Sequence, residues 1–180
     1  MRIVSGKHKG RRITAPRNLP VRPTTDMAKE ALFNILNNEY YFDQVSVLDL
    51  FSGIGSISLE FASRGSSHIV SVDSHHGCVN FLEKINTELE GGIQTVKSDV
   101  FKFLEKSNQK FDIIFADPPY DMEIDKFRKL VSLVFDKELL NKDGKLIIEH
   151  GQQTNLSELP DFDQTRKYGS NVFSFFSLHD

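Results

Sequence analysis

The spacing of apolar residues predicts one helix early in the chain, then a regular alternation of strands and helices. Ala28, Ala31, Leu32, Ile35 and Leu36 recur at i, i+3, i+4, i+7 and i+8, the pattern of a single buried helical face. Thr25 or Asp26 just ahead of them can cap that helix, because a short side-chain oxygen satisfies a free backbone N–H. From residue 45 onward, apolar runs at 45–50, 69–72, 93–96, 111–116 and 145–149 read as strands. Helical segments at 57–62, 79–89, 101–104 and 124–135 separate them, and in the last Ile124, Phe127, Val131 and Val134 share a face. Near-continuous apolar strands joined by helices predict a parallel sheet covered on both sides. The alternation stops near the C-terminus. Runs at 164–168 and 172–178 flank Gly169-Ser170-Asn171 and read as an antiparallel hairpin at the sheet edge. The expectation is an α/β, Rossmann-like domain with a mostly parallel, seven-stranded sheet ending in that hairpin.

The first residues follow another pattern. Two β-type triplets, 2–4 and 12–14, flank a polar connection holding Gly6 and Gly10, which predicts a small β-hairpin. Pro16, Pro20 and Pro23 then keep the chain extended up to the first helix. Charge sharpens the division. Arg2, Lys7, Lys9, Arg11, Arg12, Arg17 and Arg22 face no acid within residues 1–22, although the whole chain has a net charge of −3. A basic end on an acidic body implies a polyanionic partner. The organisation expected is a basic extension over 1–22 and an α/β domain over 23–180.

Composition narrows the setting. With 180 residues the chain can bury a core without disulfides or a structural metal. Its one cysteine, Cys78, has no internal partner, as expected in a reducing compartment. No apolar run approaches the ~20 residues that span a bilayer, and none follows the N-terminal charges as in a secretory signal. A cytoplasmic protein without membrane contact is expected. His8, His68, His75, His76, His150 and His179 show no ligand spacing, so no metal is predicted, and His75-His76 reads as a helix start.

Ligands of an open parallel sheet bind beyond the carboxyl ends of its strands. Here the first predicted strand runs into Asp49-Leu50-Phe51-Ser52-Gly53-Ile54-Gly55, the second ends in Asp73, the third in Ser98-Asp99 and the fourth in Asp117. One such Asp is an ordinary helix cap; four aimed at one crevice imply a shared ligand. Gly53 and Gly55 let the backbone turn sharply and approach that ligand. They half-match the dinucleotide fingerprint, but Ser58 stands at the third glycine position. Asp73 suits the hydroxyls of a ribose, and Asp99 an adenine amino group. No Lys or Arg lies between residues 45 and 63 to meet a pyrophosphate. S-adenosylmethionine carries a sulfonium, an ammonium and no phosphate, so an acidic crevice suits it better.

Asp117-Pro118-Pro119-Tyr120 is the sharpest feature. An exocyclic base amine is a poor nucleophile because its lone pair is delocalised into the ring. The Asp117 carboxylate and the Pro118 carbonyl can accept its two N–H groups, bias the lone pair toward a methyl donor and assist proton loss. Consecutive prolines hold those acceptors in place. Tyr120 can stack on the base, a contact worth ~1–3 kcal/mol. By itself the loop leaves adenine against guanine, and DNA against RNA, undecided.

These residues resemble the class I methyltransferases that act on base amino groups, whose hallmark is an Asp/Asn-Pro-Pro-aromatic loop after the fourth strand. Arg2-Ile3-Val4-Ser5-Gly6, Lys9-Gly10-Arg11-Arg12-Ile13, Arg22-Pro23-Thr24-Thr25-Asp26, Glu30 and Phe33-Asn34-x-Leu36 are similar to the head of the RsmD family. Leu48 to Gly55 and Leu59-Glu60-Phe61-Ala62-Ser63-Arg64-Gly65 continue the likeness along the chain. The first loop departs from the family's Ala-Gly-Ser-Gly by reading Ser52-Gly53-Ile54-Gly55, with both glycines kept. The resemblance implies transfer of methyl from S-adenosyl-L-methionine to guanine N2 of small-subunit (16S) ribosomal RNA, within a subunit particle or assembly intermediate. S-adenosyl-L-homocysteine is the implied product. It also implies Asp117, Pro118, Pro119 and Tyr120 as the catalytic loop. The cofactor contacts it implies are Asp49, Gly53, Gly55, Asp73 and Asp99; the expected cofactor set also includes Phe51, Ser52, Ser74 and Val100, and the basic segment's Arg2, Lys7, Lys9, Arg11, Arg12 and Arg22 are expected to meet RNA. Three alternatives remain: an adenine-N6 methyltransferase with the same loop, a nicotinamide-dependent dehydrogenase, and a non-catalytic RNA-binding module.

Overall fold

Thr25 Oγ1 accepts from the Ala28 amide and starts α1 (Asp26–Asn37), so the polar residue just outside the periodic run sets its first turn. A computed structural model describes residues 1–21 and 24–178 of the chain. Arg22, one of the expected RNA contacts, lies outside the described residues, as do Pro23, His179 and Asp180.

After a 3-10 turn at Phe42–Gln44 the predicted alternation unfolds in order. The elements are β1 (Ser46–Leu50), α2 (Ser56–Ser63), β2 (His68–Asp73), α3 (His76–Leu89), β3 (Ile93–Lys97), α4 (Val100–Lys106) and β4 (Phe111–Ala116). α5 (Ile124–Asp136), β5 (Leu140–His150), β6 (Phe162–Tyr168) and β7 (Asn171–Ser177) complete the chain. The seven strands form one sheet in the order β3-β2-β1-β4-β5-β7-β6. β1 to β5 run parallel, and β7 is antiparallel to both β5 and β6. Strand order reverses at β1 and β4, and a parallel sheet opens a crevice at such a point.

Both faces of the sheet are covered, which explains the unbroken apolar strands. Val47, Ile69, Ile113, Phe115, Ile147, Phe173 and Phe175 pack with α1, α2 and α3 in one core. Leu48, Leu50, Val70, Ile114, Leu146, Ile148 and Phe176 pack with α4 and α5 in the other. Alternate residues of one strand therefore enter different cores. β5 starts five residues before its expected apolar run, because Leu140 pairs with Phe111 across a register shift that the polar residues 141–144 span. α3 likewise starts earlier than the apolar pattern, at a cap where the His75 ring accepts from the Cys78 amide.

The N-terminal hairpin forms as expected, with Arg2 opposite Arg12 and Ile3 donating to the Arg11 carbonyl at 3.0 Å. It does not stand apart from the domain. Ile3 and Ile13 are buried in the same core as α1, and the Glu60 carboxylate on α2 accepts from the Val4 and Ser5 amides. Lys29 and Glu60, both fully buried, stand 3.5 Å apart beneath the hairpin, and Arg64 closes on the same carboxylate at 2.9 Å. Burial lowers the Lys29 pKa, against the pull of Glu60 and Asp26.

Candidate active site

A cavity of about 560 Å³ opens where the carboxyl ends of β1, β2, β4 and β5 meet. Its lining comes from the loops after those strands, from residues 20, 21 and 24 ahead of α1, and from the β6–β7 turn. Asp49, Phe51, Ser52, Gly53, Asp73 and Ser74 of the expected cofactor set line one part. All four residues of the Asp117–Tyr120 loop line another.

The cofactor-side loop owes its shape to its glycines and two carboxylates. Gly53 and Gly55 both have positive φ, at +55° and +85°, and a Cβ on Gly55 would lie 2.4 Å from Leu82 Cδ1. Gly55 therefore lets α2 begin close against α3 rather than lining the cavity itself. Asp73 ties the loop to β2: its Oδ2 accepts from the Gly53 amide at 2.8 Å and its Oδ1 from the His75 amide at 2.8 Å. Asp49 is buried, and its Oδ2 accepts from the Ser58 amide and hydroxyl at 3.2 and 2.6 Å. Burial pushes the Asp49 carboxyl up to about 7, opposed by the Ser58 bonds and reinforced by the Asp73 and Glu149 charges.

Besides Gly55, two more expected cofactor residues sit outside the cavity lining. Asp99 caps α4, accepting from the Lys102 amide at 3.0 Å, and does not line the cavity. Val100 is buried in the core under α4. An Asp at a strand end serves a helix cap or a ligand with the same side chain, so position in sequence does not separate the two roles.

The catalytic-loop candidates are pinned from both sides. The Asp117 amide donates to the Leu50 carbonyl at 3.3 Å, fixing the start of the loop to β1. The Met122 amide donates to the Pro119 carbonyl at 3.0 Å and closes the turn. Tyr120 is 63% exposed, so its ring stands at the mouth, where a base could stack on it.

Several lining residues escaped the sequence reading. Pro20 and Val21 form a wall, with Leu19 against Gly77 and Val21 against Gly53. Glu149 and His150 end β5, and Thr24 and Asn171 meet Glu149 from two separate segments. The signal for Glu149 was present: an acid stands at or next to the end of β5, as at β1, β2 and β4. Thr24 and Asn171 carry no local signal, because only chain folding brings them to the cavity. His150 Nε2 lies 2.7 Å from Ser174 Oγ and its ring meets Phe127 edge-on. Burial lowers its pKa.

The RNA-contact candidates remain on the hairpin. Lys7, Lys9, Arg11 and Arg12 are exposed, Arg2 pairs with Asp26 at 3.4 Å, and Arg11 pairs with Glu88 at 3.1 Å. Among the described residues, no group of three or more His, Cys, Asp or Glu is placed to hold a metal ion. No described helix is long and apolar enough to cross a membrane.

A family model described as Conserved hypothetical protein 95, the RsmD family, matches residues 1–177. The chain belongs to the RsmD family. It is 35% identical over 173 residues to YlbH of Bacillus subtilis, named as a candidate rRNA methyltransferase, covering 93% of this chain and 92% of that protein. It is 30% identical over 160 residues to ribosomal RNA small subunit methyltransferase D of Buchnera aphidicola, covering 88% and 79%. Among solved structures, a hypothetical protein of Thermus thermophilus superposes with a TM-score of 0.85 at 26% identity, covering 99% of each chain. The Thermus thermophilus 16S rRNA N2 G1207 methyltransferase RsmC, solved with AdoMet and guanosine, shares the fold at a TM-score of 0.73 and 22% identity, covering 89% of this chain and 45% of RsmC. This RsmD-family chain is thus a Rossmann-like rRNA methyltransferase, and the family match takes in the hairpin, α1 and the whole sheet.

Proposed function

We propose that this protein transfers methyl from S-adenosylmethionine to the exocyclic N2 amine of a guanine in small-subunit ribosomal RNA. The observation that carries the reading is one cavity holding the glycine loop, Asp49 and Asp73 beside the whole Asp117–Tyr120 loop. The chemistry of that lining fits the cofactor. Among the described residues it presents Asp49, Asp73, Asp117 and Glu149 and no Lys or Arg, which favours a ligand bearing cations and no phosphate. The same lining argues against a nicotinamide dinucleotide, whose pyrophosphate needs donors and positive charge.

Asp49, Asp73 and the backbone of residues 51–53 would hold the cofactor, whose sulfonium supplies an already activated methyl group. Asp117 and the Pro118 carbonyl orient the amine, each accepting one of its N–H groups. Tyr120 stacks on the ring, which must leave its RNA stack to enter the cavity. Rate enhancement then comes chiefly from orientation, because the donor needs no further activation. As the amine becomes cationic, Asp117 is the acceptor placed to take its proton. The basic hairpin holds RNA phosphates, giving affinity without sequence reading. An rRNA substrate also implies action in the cytoplasm, which suits the single unpaired cysteine.

Labelled methyl transfer to small-subunit particles, naked ribosomal RNA and DNA, followed by nucleoside analysis, tests the assignment. N2-methylguanine in ribosomal RNA is the expected product. Label in N6-methyladenine, which the same loop could make, would replace this reading with the adenine one.

A further inference from the structure

A base drawn out of its stack leaves a gap that its neighbours close again unless something holds them apart. We propose that Met27, in the first turn of α1, is the wedge that fills the gap left in the RNA by the target guanine; this rests on the guanine-N2 reading above.

Met27 stands at the mouth of the cavity without lining it. Just ahead of it on the chain, Thr24 is part of the lining, and Thr25 Oγ1 donates to Oδ1 of Asn171, another lining residue, at 3.4 Å. Across from it is the β6–β7 turn. A Cβ on Gly169 would lie 3.7 Å from Met27 Cε, and the next residue, Ser170, lines the cavity. The methionine thus spans the seam between two segments that both reach into the site. It is 62% exposed, although Ala28, Leu32 and Phe33 of the same helix are buried. α1 does not depend on it, since Thr25 caps the first turn and the buried face holds the helix to the core.

Exposed apolar side chains of this kind enter the steps between bases where a nucleic acid is kinked or unstacked. Methionine suits that use: it is unbranched, flexible and polarisable, so its thioether can follow the faces of two bases. Met27 belongs to the α1 side of the sheet and Tyr120 to the α5 side, so the mouth opens between two exposed side chains with apolar surface. Tyr120 receives the base that enters, and Met27 meets the stack it left. The charges fit an RNA strand laid across the seam. Arg2 of the hairpin pairs with Asp26, the residue before Met27, at 3.4 Å. On the other side, exposed Arg166 and Lys167 of β6 lead into the turn that Met27 touches. Phosphates on either side of the target therefore meet cations, while the bases between them meet Met27. RNA contact thus extends beyond the hairpin to β6.

The test places 2-aminopurine, whose emission rises when it loses a stacking neighbour, beside the guanine that wild-type protein labels in small-subunit RNA, first on one side and then on the other. With saturating wild-type protein, emission from at least one of the two RNAs should rise about threefold or more. Met27→Ala should give less than about a third of that rise and methylate guanine about tenfold more slowly at saturating RNA. Met27→Leu should keep most of both. S-adenosylmethionine affinity and Tm should stay as in wild type in both variants, because the side chain is exposed and outside the cavity lining. Arg166→Ala with Lys167→Ala should instead raise KM for RNA and lower the salt slope. A rise with Met27→Ala equal to that of wild type overturns the wedge, as does guanine methylation by wild type with no rise at either neighbour; both leave the guanine-N2 reading standing. No label on guanine from wild-type protein overturns that reading, and this one with it.

Discussion

At the scale of single residues, the carboxylates of the cavity differ in what they are asked to do. In the proposed reaction Asp117 accepts a hydrogen bond from the amine, which an amide oxygen also does, and then its proton, which an amide does not. Asp117→Ala should lower methyl transfer by about a hundredfold or more, while Asp117→Asn keeps a larger part of it. Cofactor affinity measured calorimetrically should move little in either. Asp49 is a different case, because its charge is what burial opposes. Its folded pKa of about 7 lies above its ordinary value, so between roughly pH 4 and pH 7 the folded chain holds a proton that the unfolded chain has lost. This residue's contribution to stability therefore falls as pH rises through that window. A bound cation favours the ionised form and reverses the preference. S-adenosylmethionine affinity should accordingly rise by up to about tenfold per pH unit below 7 and level off above it. Titrations in buffers of different ionisation enthalpy would show the proton released; a flat profile would place the cation away from Asp49.

At the scale of elements, the N-terminal hairpin and α2 are joined by one buried carboxylate. Glu60 accepts from the Val4 and Ser5 amides and from Arg64 Nε, and stands against Lys29 Nζ. Glu60→Ala strands a buried ammonium and two amides at once, so a loss of about 3–5 kcal/mol is expected in urea unfolding. A loss below about 1 kcal/mol would mean that water replaces the carboxylate. Gly6 belongs to the same contact: its φ is +87° and a Cβ there would lie 2.0 Å from the Ser63 carbonyl oxygen, so Gly6→Ala should lift the hairpin off α2. None of this docking was legible in the sequence, where the hairpin reads as a basic appendage. Its two buried isoleucines sit among charges, and Glu60 and Lys29 look like ordinary surface residues of amphipathic helices. The elements themselves were legible, because period-two and period-3.6 apolar patterns are local properties.

At the scale of the whole molecule, a basic hairpin stands on a domain whose cavity is acidic, so the RNA and the cofactor of the proposed function would meet surfaces of opposite sign. Replacing Lys7, Lys9 and Arg12 together by Ala should weaken RNA binding and lower its salt slope by about 0.7–0.9 for each phosphate that is no longer neutralised. Thermal stability and cofactor affinity should remain as in wild type. Removing residues 1–22 would confound the two effects, because Ile3 and Ile13 belong to the core. RNA affinity unchanged in the triple variant would leave the hairpin's charge without an RNA role.

The sequence by itself determined the order and type of nearly every element, the reversal of strand direction at the C-terminal hairpin, the glycine loop and the Asp117–Tyr120 tetrapeptide. All of these are written in contiguous residues, where periodicity, turn chemistry and motif spacing act over short range. The tertiary structure decided which strand-end acids share a cavity: Asp49, Asp73 and Asp117 do, with Glu149, while Asp99 turns to cap α4. It also brought Val21, Thr24 and Asn171 to that cavity and sank the hairpin's isoleucines into the core. Such choices depend on sheet order and on which helix covers which face, and contacts between segments 22 to 125 residues apart leave no trace in either segment alone.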